Sequence, residues 1–119
     1  MAAHAALLKT AVSTAVGFAE MKRYIRIMNL CPYSIELHCQ SGNDDLGWRT
    51  LEYGGNYEFE FRAHVLGVTH FWADAKGPKG QAMHFKVYGE GAPVGHNVFA
   101  ITTTGVVING ALWQAWQSK

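Results

Sequence analysis

The residues with the most chemical potential sit in one short run, His38-Cys39-Gln40-Ser41-Gly42-Asn43-Asp44-Asp45-Leu46-Gly47. Two adjacent carboxylates are raw material for acid–base work or for holding a hard cation. A calcium loop needs oxygen ligands at alternate positions and a closing bidentate Glu, and this run has neither. Neighbouring side chains on an extended chain point to opposite sides, so Asp44 and Asp45 are poorly set to share one proton. Asn43, Asp44 and Asp45 can instead accept nearby backbone N–H groups, and Gly47 can take positive φ. The run from Ser41 to Gly47 therefore reads first as a structural turn, which also offers charge to a partner.

His38 and His64 could flank a cleft, and His70 and His84 fall on strands that could be neighbours. Two His on adjacent strands can bind zinc, but no CxxC or paired Cys/His spacing supports a site, so no metal and no cofactor is expected. No Ser-His-Asp or Cys-His-Asp set emerges by spacing, and G-x-S-x-G is absent. Gly89-Glu90-Gly91 opens no helix that could cradle phosphate. No catalytic residue is assigned, and the chain reads as a non-enzyme. An enzyme would need two or three of His38, His64, His70, His84, Asp44 and Asp45 in one pocket. Among the four tryptophans, Trp48 and Trp72 would suit a carbohydrate- or lipid-binding module if their indoles shared one exposed face.

These residues need a scaffold. The chain has 119 residues, 49% of them apolar and 13% aromatic, with a net charge of +1. That is one globular domain, with no electrostatic footprint for nucleic acid or a membrane surface. Glu58 and Glu60 alternate with Tyr57, Phe59 and Phe61, the cleanest half-buried strand. Ile35, Leu37 and Cys39 alternate with Glu36, His38 and Gln40 in the same way. Further strands are expected at Tyr24–Met28, Trp48–Leu51, Thr69–Ala75, Met83–Tyr88, Val98–Thr102 and Val106–Ile108. Lys76-Gly77-Pro78-Lys79-Gly80 makes a tight basic turn. The expected fold is all-β, a small antiparallel sandwich of about eight short strands, Ig-like in architecture.

Residues 22–109 form the domain. The tail, residues 110–119, carries Leu112, Trp113 and Trp116 at helix-like spacing and either docks or stays loose. Residues 1–21 are Ala-rich and nearly uncharged. They read as a weak signal peptide with Gly17-Phe18-Ala19 as cleavage site, or as a short leader. No segment reaches the ~20 apolar residues of a membrane span. Cys31 and Cys39 are too far apart along an extended strand to pair with each other. Two free thiols are expected, or one in an intermolecular bond, with Cys39 a small buried apolar residue.

The ordered set of segments IRIMNL, IELHCQSGNDDLG, LEYGGNYEFEF, GVTHFWAD, HFKVY and VFAITTTGV resembles the plant self-incompatibility protein S1 family, the S-protein homologues. The most specific match is His38-Cys39-Gln40-Ser41 followed by Asp44-Asp45-Leu46-Gly47. Gly54, Tyr57, Phe59, Phe61, Gly67, Thr69, Phe71, Phe85, Val87, Ile101 and Gly105 follow in order. The resemblance implies a small secreted, extracellular β-sandwich that acts in cell–cell signalling as a ligand for a cell-surface receptor protein. It implies recognition through polar loops, here Gly42–Asp45, Lys76–Gly80 and Gly89–Asn97. Asn43, Asp44, Asp45, Lys76, Lys79 and Glu90 are the residues offered there. His38, Cys39, Leu46, Gly47, Phe59, Phe61 and Phe71 are structural motif positions. The resemblance implies two disulfides from four cysteines, but only Cys39 matches that set and Cys31 has no counterpart, so the oxidised framework is absent here. Ala73 stands where the Phe-x-Cys cysteine is expected, Asn97 stands where another is expected, and Phe99 replaces a Trp. Loss of a disulfide costs ~2–5 kcal/mol in a small secreted domain.

Overall fold

A computed structural model describes residues 20–64, 69–93 and 95–118. Residues 1–19 of the proposed leader, and Gly67, lie outside the described residues. The elements are β1 (Glu20–Asn29), β2 (Ile35–Ser41), β3 (Asp45–Leu51), β4 (Asn56–His64), β5 (Phe71–Lys76), β6 (Ala82–Tyr88), β7 (Val98–Ile101), β8 (Gly105–Ile108) and β9 (Ala111–Ala115). They form a five-stranded sheet, β4-β1-β7-β8-β9, and a four-stranded sheet, β3-β2-β5-β6. Neighbours pair antiparallel except β1 and β7, which run parallel.

The period-two pattern decides which side of each sheet is dry. Ile25 and Ile27 of β1, with Tyr57, Phe59, Phe61 and Ala63 of β4, face inward from one sheet. Ile35, Leu37 and Cys39 of β2, with Ala73, Ala75, Phe85 and Val87, face them from the other. Aromatic rings knit the layers. Phe71 of β5 lies 5.1 Å from Phe59 and 4.5 Å from Phe61 of β4, and Phe85 of β6 lies 6.0 Å from Phe99 of β7. Phe59, Phe61 and Phe71 are therefore core. Phe99, in place of the family's Trp, is fully buried.

Three features differ from the expectation. Among the described residues the sandwich has nine strands, because the segment with helix-like spacing is β9, paired along β8. β1 starts at Glu20, so the first sheet takes in two residues that the sequence assigns to the leader. And β3 begins at Asp45, so only residues 42–44 make the tight turn. The last difference has a simple cause: a glycine that looks like a turn residue sits inside a bulged strand.

Among the described residues, one polar side chain is fully buried, that of Asn29 at the end of β1. Its amide nitrogen donates to the carbonyl oxygens of Tyr33 and Leu51, each at 2.9 Å, and its oxygen accepts the Cys31 N–H at 2.9 Å. A dry polar group survives when its bonding capacity is met, and this one ties β1 to the β1–β2 corner and to the end of β3.

Candidate functional site

The His-Cys-x-Ser and Asp-Asp-Leu-Gly pieces come together as one device at the β2–β3 hairpin. Across the hairpin His38 faces Trp48 and Gln40 faces Asp45, so β3 carries one extra residue between the two pairs. Gly47 takes φ 83° at this bulge, a conformation that side chains with a Cβ resist. Asp45 locks it. Its Oδ1 accepts the Gly47 N–H at 2.8 Å and meets His38 Nε2 at 2.5 Å. The His38 hydrogen bond, and then the Gly47 N–H, hold the Asp45 carboxyl below the usual carboxylate range. Tyr57 donates its hydroxyl to the Gly47 carbonyl at 2.7 Å, and burial pushes that phenol up to about 12. Ser41 closes the turn: its Oγ accepts the Asp44 N–H at 3.0 Å and its own N–H donates to the Asp44 carbonyl at 2.7 Å. Leu46 packs partly buried against the core.

Cys39 and Cys31 are both buried free thiols. Burial raises both thiols, so neither is a nucleophile at neutral pH. Ala73 lies directly across from Cys39 in the β2–β5 register, and both are fully buried. The departure from the family's cysteine pattern thus sits inside the core, where a small apolar pair fills the space.

The register also places the polar loops. β2 ends at Ser41 opposite Phe71, the start of β5, and Phe71 faces Tyr88, the end of β6. The 42–44 turn and the Gly89–Asn97 loop therefore share one end of the sandwich. Glu36 at the start of β2 faces Lys76 at the end of β5. The Lys76–Gly80 turn, with Lys79, therefore lies at the opposite end, about 20 Å away at ~3.3 Å per residue. Asn43, Asp44, Asp45 and Glu90 are brought to one end; Lys76 and Lys79 are not among them. The first end also opens a cleft of about 850 Å³, lined among others by Lys22, Arg23, His70, Glu90 and His96.

The outward side of the four-stranded sheet is the second polar-aromatic surface. Register sets Trp48, His38, Asp74 and His84 in one row across β3-β2-β5-β6. Trp72 stands in the next row, between Gln40 and Lys86. Trp48 and Trp72 thus share one face. Trp48 stacks on the His38 ring at 4.9 Å and is 45% exposed. His84 Nδ1 lies 2.7 Å from Asp74 Oδ1. Of the residues an enzyme would need in one pocket, His38 meets Asp45 beside the bulge, His84 meets Asp74 instead, and His70 lines the end cleft. Among the described residues, no group of three or more His, Cys, Asp or Glu could hold a metal ion.

Sequence comparison agrees with this architecture. The family described as plant self-incompatibility protein S1 matches residues 25–115, from β1 to the end of β9. S-protein homolog 3 of Arabidopsis thaliana is 38% identical over 55 residues, 46% of this chain and 36% of that protein. S-protein homolog 4 of the same plant is 39% identical over 56 residues, 46% of this chain and 36% of its own length. S-protein homolog 21 is 38% identical over 45 residues, 37% of this chain and 34% of its own. The matched stretches span about a third of these relatives. No solved structure matches the chain. The bulged hairpin, the aromatic core and the family match across both sheets agree: the chain belongs to the plant self-incompatibility protein S1 family.

Proposed function

We propose that this protein is a secreted, non-enzymatic signalling ligand, recognised by a cell-surface receptor protein through polar loops at one end of the sandwich. The observation that carries the reading is the grouping of the 42–44 turn, Asp45, Glu90 and the Gly89–Asn97 loop at one end. Loops held by a rigid scaffold are where proteins commonly place recognition. The mixed charges of that end, Asp44 and Asp45 at the turn and Glu90 with Lys22 and His96 around the cleft, favour a polar protein surface over an acidic polymer. Rigidity comes from the bulge: Asp45 fixes the Gly47 backbone and the His38 ring, so the turn is presented without a large ordering cost on binding.

Secretion is tested by expressing the full chain with a C-terminal tag in plant cells and sequencing the N-terminus of the exported product. Export with cleavage near Ala19 supports the reading. Retention inside the cell, with residues 1–19 still attached, overturns the extracellular role.

A further inference from the structure

The outward face of the four-stranded sheet runs from Asp45 at the loop end to Lys76 at the other, and beyond Asp45 the receptor reading does not use it. Its rows run Thr50-Glu36-Lys76-Ala82, Trp48-His38-Asp74-His84 and Asp45-Gln40-Trp72-Lys86. One border is raised by β9 and the segment after it. Trp113 Nε1 donates to the Lys86 carbonyl at 3.3 Å, and Ala82 and Gln117 exchange backbone bonds at 2.9 and 2.8 Å. The result is a shallow cleft of about 440 Å³, lined by Trp48, Asp74, Lys76, His84, Gln114 and Gln117 among others. That volume is small but within the range of small-molecule sites, ~300–1,000 Å³.

The wall and floor of this cleft have a specific chemistry. Trp48 offers a flat indole held against His38 and nearly half exposed. Such a surface suits the apolar face of a pyranose ring. Around it stand a carboxylate, an imidazole and two primary amides, so both donors and acceptors face the same space. Ala82 and the buried Ala75 and Met83 also line the cleft. Asp74 is closed onto His84 at 2.7 Å and Asp45 onto His38 at 2.5 Å, and the Lys76 ammonium, cross-strand from Glu36, rests 4.6 Å from the centre of the Trp48 indole. Lys79 follows it in the next turn. A cation parked on an exposed ring is weakly held and is readily redirected to a carboxylate.

We infer that this cleft binds an oligosaccharide bearing a carboxylate, a uronic-acid chain, with one ring stacked on Trp48 and its carboxylate taken by Lys76. Asp74, His84, Gln114 and Gln117 then meet the ring hydroxyls. This inference is independent of the receptor reading, because its residues lie on a different surface.

The test uses the full chain with a galacturonic-acid oligosaccharide and a neutral cello-oligosaccharide of equal length. Binding is followed by calorimetry and by NMR shifts of the Trp48 indole N–H and the Gln114 and Gln117 amides. The acidic chain is expected to bind at least about tenfold more tightly than the neutral one, and Trp48→Ala to weaken it by a further tenfold or more, each tenfold being ~1.4 kcal/mol. Lys76→Gln should erase the acidic preference while leaving neutral binding in place, and added salt should do the same in part. Because Trp48 is exposed, its variant is checked for an unchanged melting curve; the NMR map on the native chain stands if that variant fails to fold. Absence of binding to either sugar, equal affinity for both, or shifts confined to residues outside the cleft would overturn the inference.

Discussion

Asn29→Ala is the substitution whose cost the structure sets most sharply. The side chain is fully buried and makes three hydrogen bonds, to the Tyr33 and Leu51 carbonyls and from the Cys31 N–H. Each is worth about 1 kcal/mol net, and the alanine leaves three backbone groups in a dry site, so the expected loss is about 3–4 kcal/mol. That is a fifth or more of the ~5–15 kcal/mol that holds a domain together. The midpoint of thermal unfolding should drop by about 12–16 °C. Urea unfolding followed by tryptophan fluorescence measures the loss directly, with an unchanged slope if the end states keep their compactness. Asn29→Asp sharpens the case. Its carboxylate would still accept the Cys31 N–H but would face two carbonyl oxygens, so it should fold best when protonated. A buried acid with a raised folded pKa binds more protons in the native state, so its stability falls as pH rises through the unfolded value near ~3.9. A loss below about 1 kcal/mol for Asn29→Ala, or no pH trend for Asn29→Asp, would refute the reasoning that this network fastens β1 to its corner.

Three further outcomes follow from the same geometry. Cys31 and Cys39 are buried with raised thiols, so a thiol reagent should label neither in the native protein and both in denaturant. The Asp45 carboxyl is held low by His38 and the Gly47 N–H. Its contribution is fully present above the unfolded value of ~3.9 and is lost as pH falls through the lower folded one, so the gap between the native protein and Asp45→Asn in melting temperature should close in acid. A Cβ on Gly105 would come within 2.1 Å of the Gln114 carbonyl oxygen and 2.7 Å of the Ala115 Cα. Gly105→Ala should therefore strip β9 from β8, exposing Trp116, whose indole donates to the Thr102 carbonyl at 2.7 Å, and shifting its emission to the red.

The strands that bury one face were legible because their inward residues are apolar and most of their outward ones polar. β4 does this in Tyr57, Phe59 and Phe61 against Glu58 and Glu60. β9 was not legible, because it buries no face: Ala111, Leu112 and Trp113 are all exposed and Trp113 leans across to β6. Gly47 misled in the opposite direction. Positive φ marks turns and bulges alike, and only the cross-strand partner tells them apart. The roles of Asp45 and Asn29 depend on atoms brought together by folding, since His38 lies seven residues from Asp45 and Leu51 lies 22 from Asn29. The three loops looked equivalent in the sequence. Register separated them, because β2 and β6 both end where the antiparallel β5 begins, while the β5–β6 turn falls at the other end of the sheet.

The central claim is that the loop end is read by a protein at the cell surface. The most direct test is saturation binding of the labelled full chain to plant plasma membranes, comparing the native protein with a combined Asn43→Ala, Asp44→Ala, Glu90→Ala variant. Asp45 is left intact so that the bulge keeps its lock, and Lys79→Ala at the far end serves as the control. Saturable binding that weakens at least about tenfold in the loop-end variant, a change of ~1.4 kcal/mol or more, and is unchanged in Lys79→Ala is the predicted result. Binding that does not saturate, or that is indifferent to the loop-end substitutions, would contradict it.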